Sequence, residues 1–144
     1  MTKTLTAANS VILLSIPSLF GTPVQLQGYA ADDVFDIDAL DTAETMMGVD
    51  GKLSAGWVPK EIKQTFTLQA DSDSVAFFEQ WYQAQQRVRE LYAANGTTAL
   101  PSVGRSYTMA KGFLTSYSPA PAGKKVLQPR KFVVTWEAIR SAPY

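Results

Sequence analysis

The densest set of side chains able to do chemistry lies between residues 32 and 50. Seven carboxylates (Asp32, Asp33, Asp36, Asp38, Asp41, Glu44 and Asp50) occur there without a single Lys or Arg. Two pairs, Asp32/Asp33 and Asp36/Asp38, offer the hard oxygen donors that calcium takes. The run lacks both the glycine and the terminal glutamate of an EF-hand loop, so its spacing does not specify a calcium site. Asp36 and Asp38 are also the right residue types for glycoside hydrolysis. That reaction needs two carboxyl groups converging across a cleft, and neighbours in one segment do not show convergence.

Composition removes most other chemistry. The 144 residues contain no His and no Cys. The commonest general base, the commonest transition-metal ligand, thiolate nucleophiles and disulfides are therefore all absent. No Ser-x-x-Lys dyad occurs. Gly104 and Gly112 do not form a phosphate loop, because neither a strand–glycine–helix order nor Gly-Lys-Ser/Thr accompanies them. The expectation is a protein that is not an enzyme and holds no metal or cofactor. A soluble β-sandwich module that binds carbohydrate or calcium through residues 32–41 is the rival reading.

Charge separation is more informative than the formal net charge of +0. Seven cations (Arg105, Lys111, Lys124, Lys125, Arg130, Lys131 and Arg140) fall in residues 105–140 with one acid, Glu137. An acidic and a basic segment on one neutral chain can meet across copies of that chain, or neutralise each other within it. A nucleic-acid interface would need the aromatics near the basic segment exposed as a stacking platform. Tyr107, Phe113, Tyr117 and Phe132 instead alternate with polar residues, as core residues do.

The elements that position these charges follow from periodicity. Val75, Phe78, Trp81, Tyr82, Gln85, Val88, Leu91 and Tyr92 recur at steps of three and four, which predicts one amphipathic helix within residues 71–96. Asp71 and Asp73 sit at its start, and Asn95-Gly96 supplies a stop. Strands are predicted over residues 10–16, 24–30, 62–70, 105–117 and 131–138, with a short extended piece at 97–100. Residues 11–16 are too short to span a membrane and read as a buried strand, so no membrane insertion is expected. In residues 62–70 only Gln64 interrupts the inward apolar pattern. Tyr107, Met109, Phe113 and Tyr117 share one side of their strand, with Gly112 marking a bulge or bend. Asp50-Gly51 predicts a two-residue turn joining strands 44–49 and 52–58. Residues 1–9 are polar and read as a flexible arm, and no linker divides residues 1–144 into more than one domain. A lone helix among strands must pack on a sheet, so the fold class is mainly β with one α-helix.

Four stretches carry a family resemblance: LQGYAADDVFDIDALDTAETMMGVDGKLSAGWVP, QTFTLQADSDSVAFFEQWYQAQQ, LPSVGRSYTMAKGFLTSYSPAP and LQPRKFVVTW. Over residues 10–136 the chain resembles the tail-tube-like structural proteins of contractile-tailed bacteriophages, which include tail tube subunits and the ring or adaptor proteins at the tube–baseplate junction. The resemblance implies a β-sandwich or small barrel flanked by a single helix. It implies a homo-hexamer joined edge to edge around a channel through which viral DNA passes without sequence-specific binding. Neighbouring tube, sheath or baseplate proteins would be its partners. Such a protein assembles in the host cytoplasm and resides in the virion. Residues 32–58 would form an extended loop or hairpin arm reaching an adjacent ring. The inter-subunit contact candidates are Asp32, Asp33, Asp36, Asp38, Asp50, Gly51, Lys124, Lys125, Arg130 and Lys131.

Overall fold

The computed structural model describes residues 10–29 and 34–143. The expected arm at residues 1–9 and the pair Asp32/Asp33 lie outside them. Among the described residues the strands are β1 (Val11–Ser15), β2 (Val24–Gln25), β3 (Phe35–Ile37), β4 (Ala43–Met47), β5 (Leu53–Trp57), β6 (Ile62–Leu68), β7 (Ala94–Leu100), β8 (Arg105–Tyr117) and β9 (Arg130–Pro143), with one α-helix, α1 (Val75–Val88), and a 3-10 turn at Pro101–Val103. Seven strands form one sheet in the order β2-β1-β7-β8-β9-β6-β3, every pair antiparallel, while β4 and β5 form a separate hairpin. The mainly β architecture with a single helix is as expected. The sheet is an open one and does not close into a barrel, because no ladder joins its edge strands β2 and β3. One corner is tied nonetheless: Tyr29 bridges Leu68, and the Gln69 N–H donates to the Gly28 carbonyl at 2.8 Å.

The curl of the sheet is set around Trp136. This fully buried ring on β9 lies across β8 and β7, and an added Cβ would sit 2.3 Å from it at Gly112 and 2.8 Å at Gly96. Only a residue without a side chain leaves room for an indole lying that close to the strands. The Trp136 Nε1–H donates to Gln64 Oε1 at 3.1 Å, and Gln64 Nε2 donates to Thr98 Oγ1 at 3.1 Å. Gln64 and Thr98 are as buried as Trp136. The residue that broke the inward pattern of β6 is thus the polar clasp of the interior. In the sheet β6 and β7 are separated by β9 and β8, yet Gln64 and Thr98 touch. That contact requires a strongly curled sheet.

Helix α1 covers the concave side through Val75, Phe77, Phe78, Trp81 and Gln85. Phe78 stacks on Phe132 of β9 with ring centroids 4.4 Å apart and planes 2° from parallel. Tyr82 stacks on Tyr117 at 4.3 Å, and Phe77 on Phe20 at 5.0 Å. Two serines pin the helix start: the Ser72 hydroxyl donates to the Gln27 carbonyl, and Ser74 Oγ accepts the Gln27 N–H at 2.6 Å. Gly28, at φ +72°, leaves the space that Ser72 occupies.

The helix is shorter than the periodicity predicts. It ends at Val88, where Arg89 adopts a left-handed conformation at φ 56°, and Val88 and Leu91 are exposed. Asn95-Gly96 is not a helix stop but the second and third residues of β7, both paired with β1, and Gly96 also with β8. A strand laddered on both edges outweighs a local stop signal. The connection is held by Trp81 Nε1–H donating to the Tyr92 carbonyl at 3.3 Å, and by the Tyr92 N–H donating to Gln85 Oε1 at 3.2 Å.

Strand β8 does not keep one face throughout. Its register with β7 shifts opposite Ala94/Gly96, where Lys111 has φ 51°, and its register with β9 shifts between Leu114 and Ser116. Met109, Gly112 and Leu114 consequently point inward while Phe113 does not. Tyr117 returns to the helix side and stacks on Tyr82. Strand β9 also runs beyond the expected residue 138, because β8 pairs with it from Tyr117↔Phe132 to Arg105↔Pro143.

Two predictions follow from this interior. Gly112→Ala forces a methyl into the Trp136 ring and should cost about 1–3 kcal/mol in urea denaturation, whereas Gly56→Ala, with open space around it, should stay within about 0.5 kcal/mol. Burial pushes the Tyr29 hydroxyl up to about 12, the Ile12 backbone offsetting part of that shift, and the hydroxyl makes no hydrogen bond of ordinary geometry. The folded state therefore holds this proton longer than the unfolded chain does. Stability should be unaffected below the ordinary tyrosine value of 10.0 and fall as pH rises from there towards 12. Comparing Tyr29→Phe with the parent by denaturation at stepped pH should show the decline reduced in the variant.

Candidate assembly interface

The β4–β5 hairpin stands away from the sheet with every one of its strand residues exposed. Its tip is longer than the expected two-residue turn. Met47↔Leu53 is the last cross-strand pair, the Gly48 N–H bonds the Lys52 carbonyl at 2.8 Å, and Gly51 takes φ 84°. That is a three-residue loop with glycine at its left-handed position. Asp50 Oδ1 accepts the Lys52 N–H at 3.2 Å, bracing the tip. The register places Ala43, Thr45 and Met47 on the same face as Trp57, Ala55 and Leu53. Trp57, Met47 and Leu53 are 76%, 64% and 62% exposed. A two-stranded ribbon is marginal on its own, and this one leaves large apolar side chains in water.

The remaining acids lie on the adjoining segment. Asp36 and Asp38 are both exposed, while Phe35 and Ile37, alternating with them, turn half inward against the sheet. Asp36 pairs opposite Thr65, and the Asp38 N–H donates to the Lys63 carbonyl at 3.0 Å. Among the described residues no three Asp or Glu side chains gather where they could hold a metal ion.

On the basic side, Lys124 and Lys125 are exposed on the loop between β8 and β9, and Lys131 is exposed on β9. Arg130 differs from its neighbours. It is 4% exposed, with Nη1 on Glu79 Oε1 at 2.8 Å and Nη2 donating to the Ser118 carbonyl at 2.6 Å. Its guanidinium sits 5.3 Å from the Phe132 ring centre. Its charge is used inside the chain, tying α1 to the base of the loop. The only other ion pair among the described residues joins Lys111 and Glu137 at 3.7 Å, both exposed. No ion pair therefore links the described acids of residues 34–50 to the basic segment. What sequence reasoning missed is the exposure of the apolar groups. The alternation in Ala43-Glu44-Thr45-Met46-Met47 is visible in the sequence, but nothing there shows that its apolar face is left uncovered.

A family model for tail fiber protein gp32 matches residues 3–140. The chain belongs to that family. As a gp32-family member it is a tail-associated structural protein. Its fold is shared with chains of contractile injection systems, at identities that speak to the fold alone. A chain of the anti-feeding prophage baseplate, solved with 6-fold symmetry, superposes with TM-score 0.62 at 9% identity, covering 99% of this chain and 98% of that one. A chain of the sheath–tube complex of an extracellular contractile injection system in its extended state gives 0.66 at 8% identity, over 98% and 93%. A chain of the anti-feeding prophage tube-terminating cap gives 0.61 at 10% identity, over 100% and 94%. No curated protein matches the sequence.

Breaking the internal ion pair tests how the loop is anchored. Glu79→Ala leaves a buried guanidinium without its counter-charge. It should cost about 1–3 kcal/mol, below the range for fully buried pairs because the Glu79 side chain is 40% exposed. Adding Arg130→Met to Glu79→Ala should restore much of that loss in urea denaturation.

Proposed function

We propose that this gp32-family chain forms a hexameric ring around the DNA channel of a contractile phage tail, as a tube-like ring or adaptor near the tube–baseplate junction. The observation that carries the reading is the whole-chain fold match to a baseplate chain whose assembly is six-fold symmetric. Three features of this chain support it. The open sheet ends in two short edge strands whose outer backbone groups are free to pair with a neighbour. A ring is a closed heterologous assembly, so its subunits need two different, mutually complementary sides, and acidic and basic segments on one neutral chain supply them. On β6 and β9 the sheet face opposite α1 is largely polar and mixed in sign, with Lys63, Thr65, Lys131, Thr135 and Glu137 outward beside Val133. Such a wall lets phosphates pass without gripping them.

The role is structural rather than catalytic. The chain has neither His nor Cys, and its distinctive surfaces are the sheet edges and the exposed hairpin. Tube, sheath or baseplate proteins are the partners this reading assigns, with the virion tail as the location.

Negative-stain imaging and mass measurement of the purified protein test it. Rings or short tubes with six-fold end views are the expected outcome, and a monodisperse monomer under all conditions would overturn the reading. Copy number then separates the two placements: about six per particle for a single adaptor ring, several dozen or more for a stacked tube.

A further inference from the structure

The fold fixes both residues of the pair Asn95-Gly96. An added Cβ at Gly96 would sit 2.8 Å from the Trp136 ring and 2.9 Å from Leu14, so the position requires glycine. Asn95 serves the neighbouring strand. Its Oδ1 accepts the Lys111 N–H at 3.3 Å, where β8 bulges and Lys111 takes φ 51°. A short carboxamide is therefore followed by the residue that least shields its own backbone nitrogen. That is the dipeptide in which an asparagine side chain cyclises most readily.

Water is the only co-reactant the chemistry needs. The Gly96 nitrogen loses its proton and attacks Asn95 Cγ, and the new C–N bond closes a five-membered succinimide. The Cγ–Nδ2 bond breaks, and the side-chain nitrogen leaves as ammonia with that proton. Water then adds to one of the two ring carbonyls. Opening on the Cγ side leaves aspartate. Opening on the backbone side leaves isoaspartate, whose main chain runs through the side-chain carbons and is one methylene longer.

Solvent reaches this site, because Asn95 is exposed. What restrains it is conformation. Ring closure requires the Asn95-Gly96 peptide to turn out of the extended strand, yet Asn95 pairs with Ser15, and Gly96 with Leu14 and Met109. The carboxamide oxygen is also engaged by Lys111. Strand β7 has a neighbour on each edge, so the turn becomes accessible only when the strand leaves the sheet.

We infer that Asn95 is a covalent modification site that the folded sheet keeps silent and that converts once β7 comes away. The two products have different fates. Aspartate keeps the backbone length and an acceptor for the Lys111 N–H, so it re-enters the sheet. Isoaspartate shifts Gly96 from beneath Trp136 and cannot regain the register. Opening becomes irreversible in the chains that take the second route. This goes beyond the ring reading and does not depend on it.

Tryptic cleavage after Arg89 and Arg105 isolates residues 90–105, in which Asn95 is the only asparagine. In mildly alkaline buffer the urea-unfolded protein and a synthetic 90–105 peptide should form both products at matching rates, read by mass and chromatographic separation. The folded protein should form them at least about tenfold more slowly. Gly112→Ala, which disturbs the Trp136 seat, should speed conversion in the folded protein roughly tenfold and leave the unfolded rate unchanged. Should that variant fail to fold, the parent in urea below its midpoint decides, with conversion rising in step with the unfolded fraction. After urea is removed, the refolded fraction should contain the aspartate product and exclude isoaspartate. Conversion of the folded protein at the peptide's rate, a rate indifferent to urea, or isoaspartate in the refolded fraction would each overturn the inference.

Discussion

The placement of Trp136 constrains the rest of the structure more than any other contact. Its indole lies flat over two strands because Gly112 and Gly96 present bare backbone beneath it. Its N–H is taken by Gln64, which reaches Thr98 on a strand that lies three places away in the sheet. A buried indole N–H and a buried amide are costly unless every polar atom is met. The curl that brings Gln64 to Thr98 satisfies them, so polar satisfaction and sheet curvature enforce one another. The concave face produced in this way receives Phe78 and Trp81.

From that interior the chain separates its tasks. Helix α1 is pinned to Gln27 at its start through Ser72 and Ser74, and to the β7 connection at its end through Trp81 and Gln85. Arg130 joins the helix to the base of the β8–β9 loop and so ties the rigid body to a surface that carries free lysines. The hairpin contributes nothing to the core. Its strand residues are all exposed.

Sequence and structure part company where contacts are non-local. The periodicity of Val75, Phe78 and Trp81 located the helix, but its last turn could not be read. Asn95-Gly96 looks the same whether it ends a helix or seats an indole brought from residue 136. Gln64 looked like an interruption until Trp136 and Thr98 stood beside it. The inward side of β8 departs from simple alternation at Phe113 because two register shifts, one at a left-handed Lys111, change which face each residue takes. Arg130 read as one more surface cation, and only the position of Glu79 shows that its charge is used internally.

What the sequence by itself determined was the inventory and the local geometry. It set a chain without His or Cys, a neutral sum of separated charges, one amphipathic helix among alternating strands, and a glycine turn between two short apolar-alternating segments. Those properties depend on residue type and on spacings of two to four residues, which the chain carries locally. The tertiary structure alone decided that the sheet stays open, that Gln64 belongs in the core, that Arg130 turns inward, and that Trp57, Met47 and Leu53 remain in water. Each of these depends on which distant segments meet, and hence on how the whole chain curls around Trp136. Exposure belongs to the fold rather than to the residue, so which apolar side chains stay in water becomes visible only once the fold is complete.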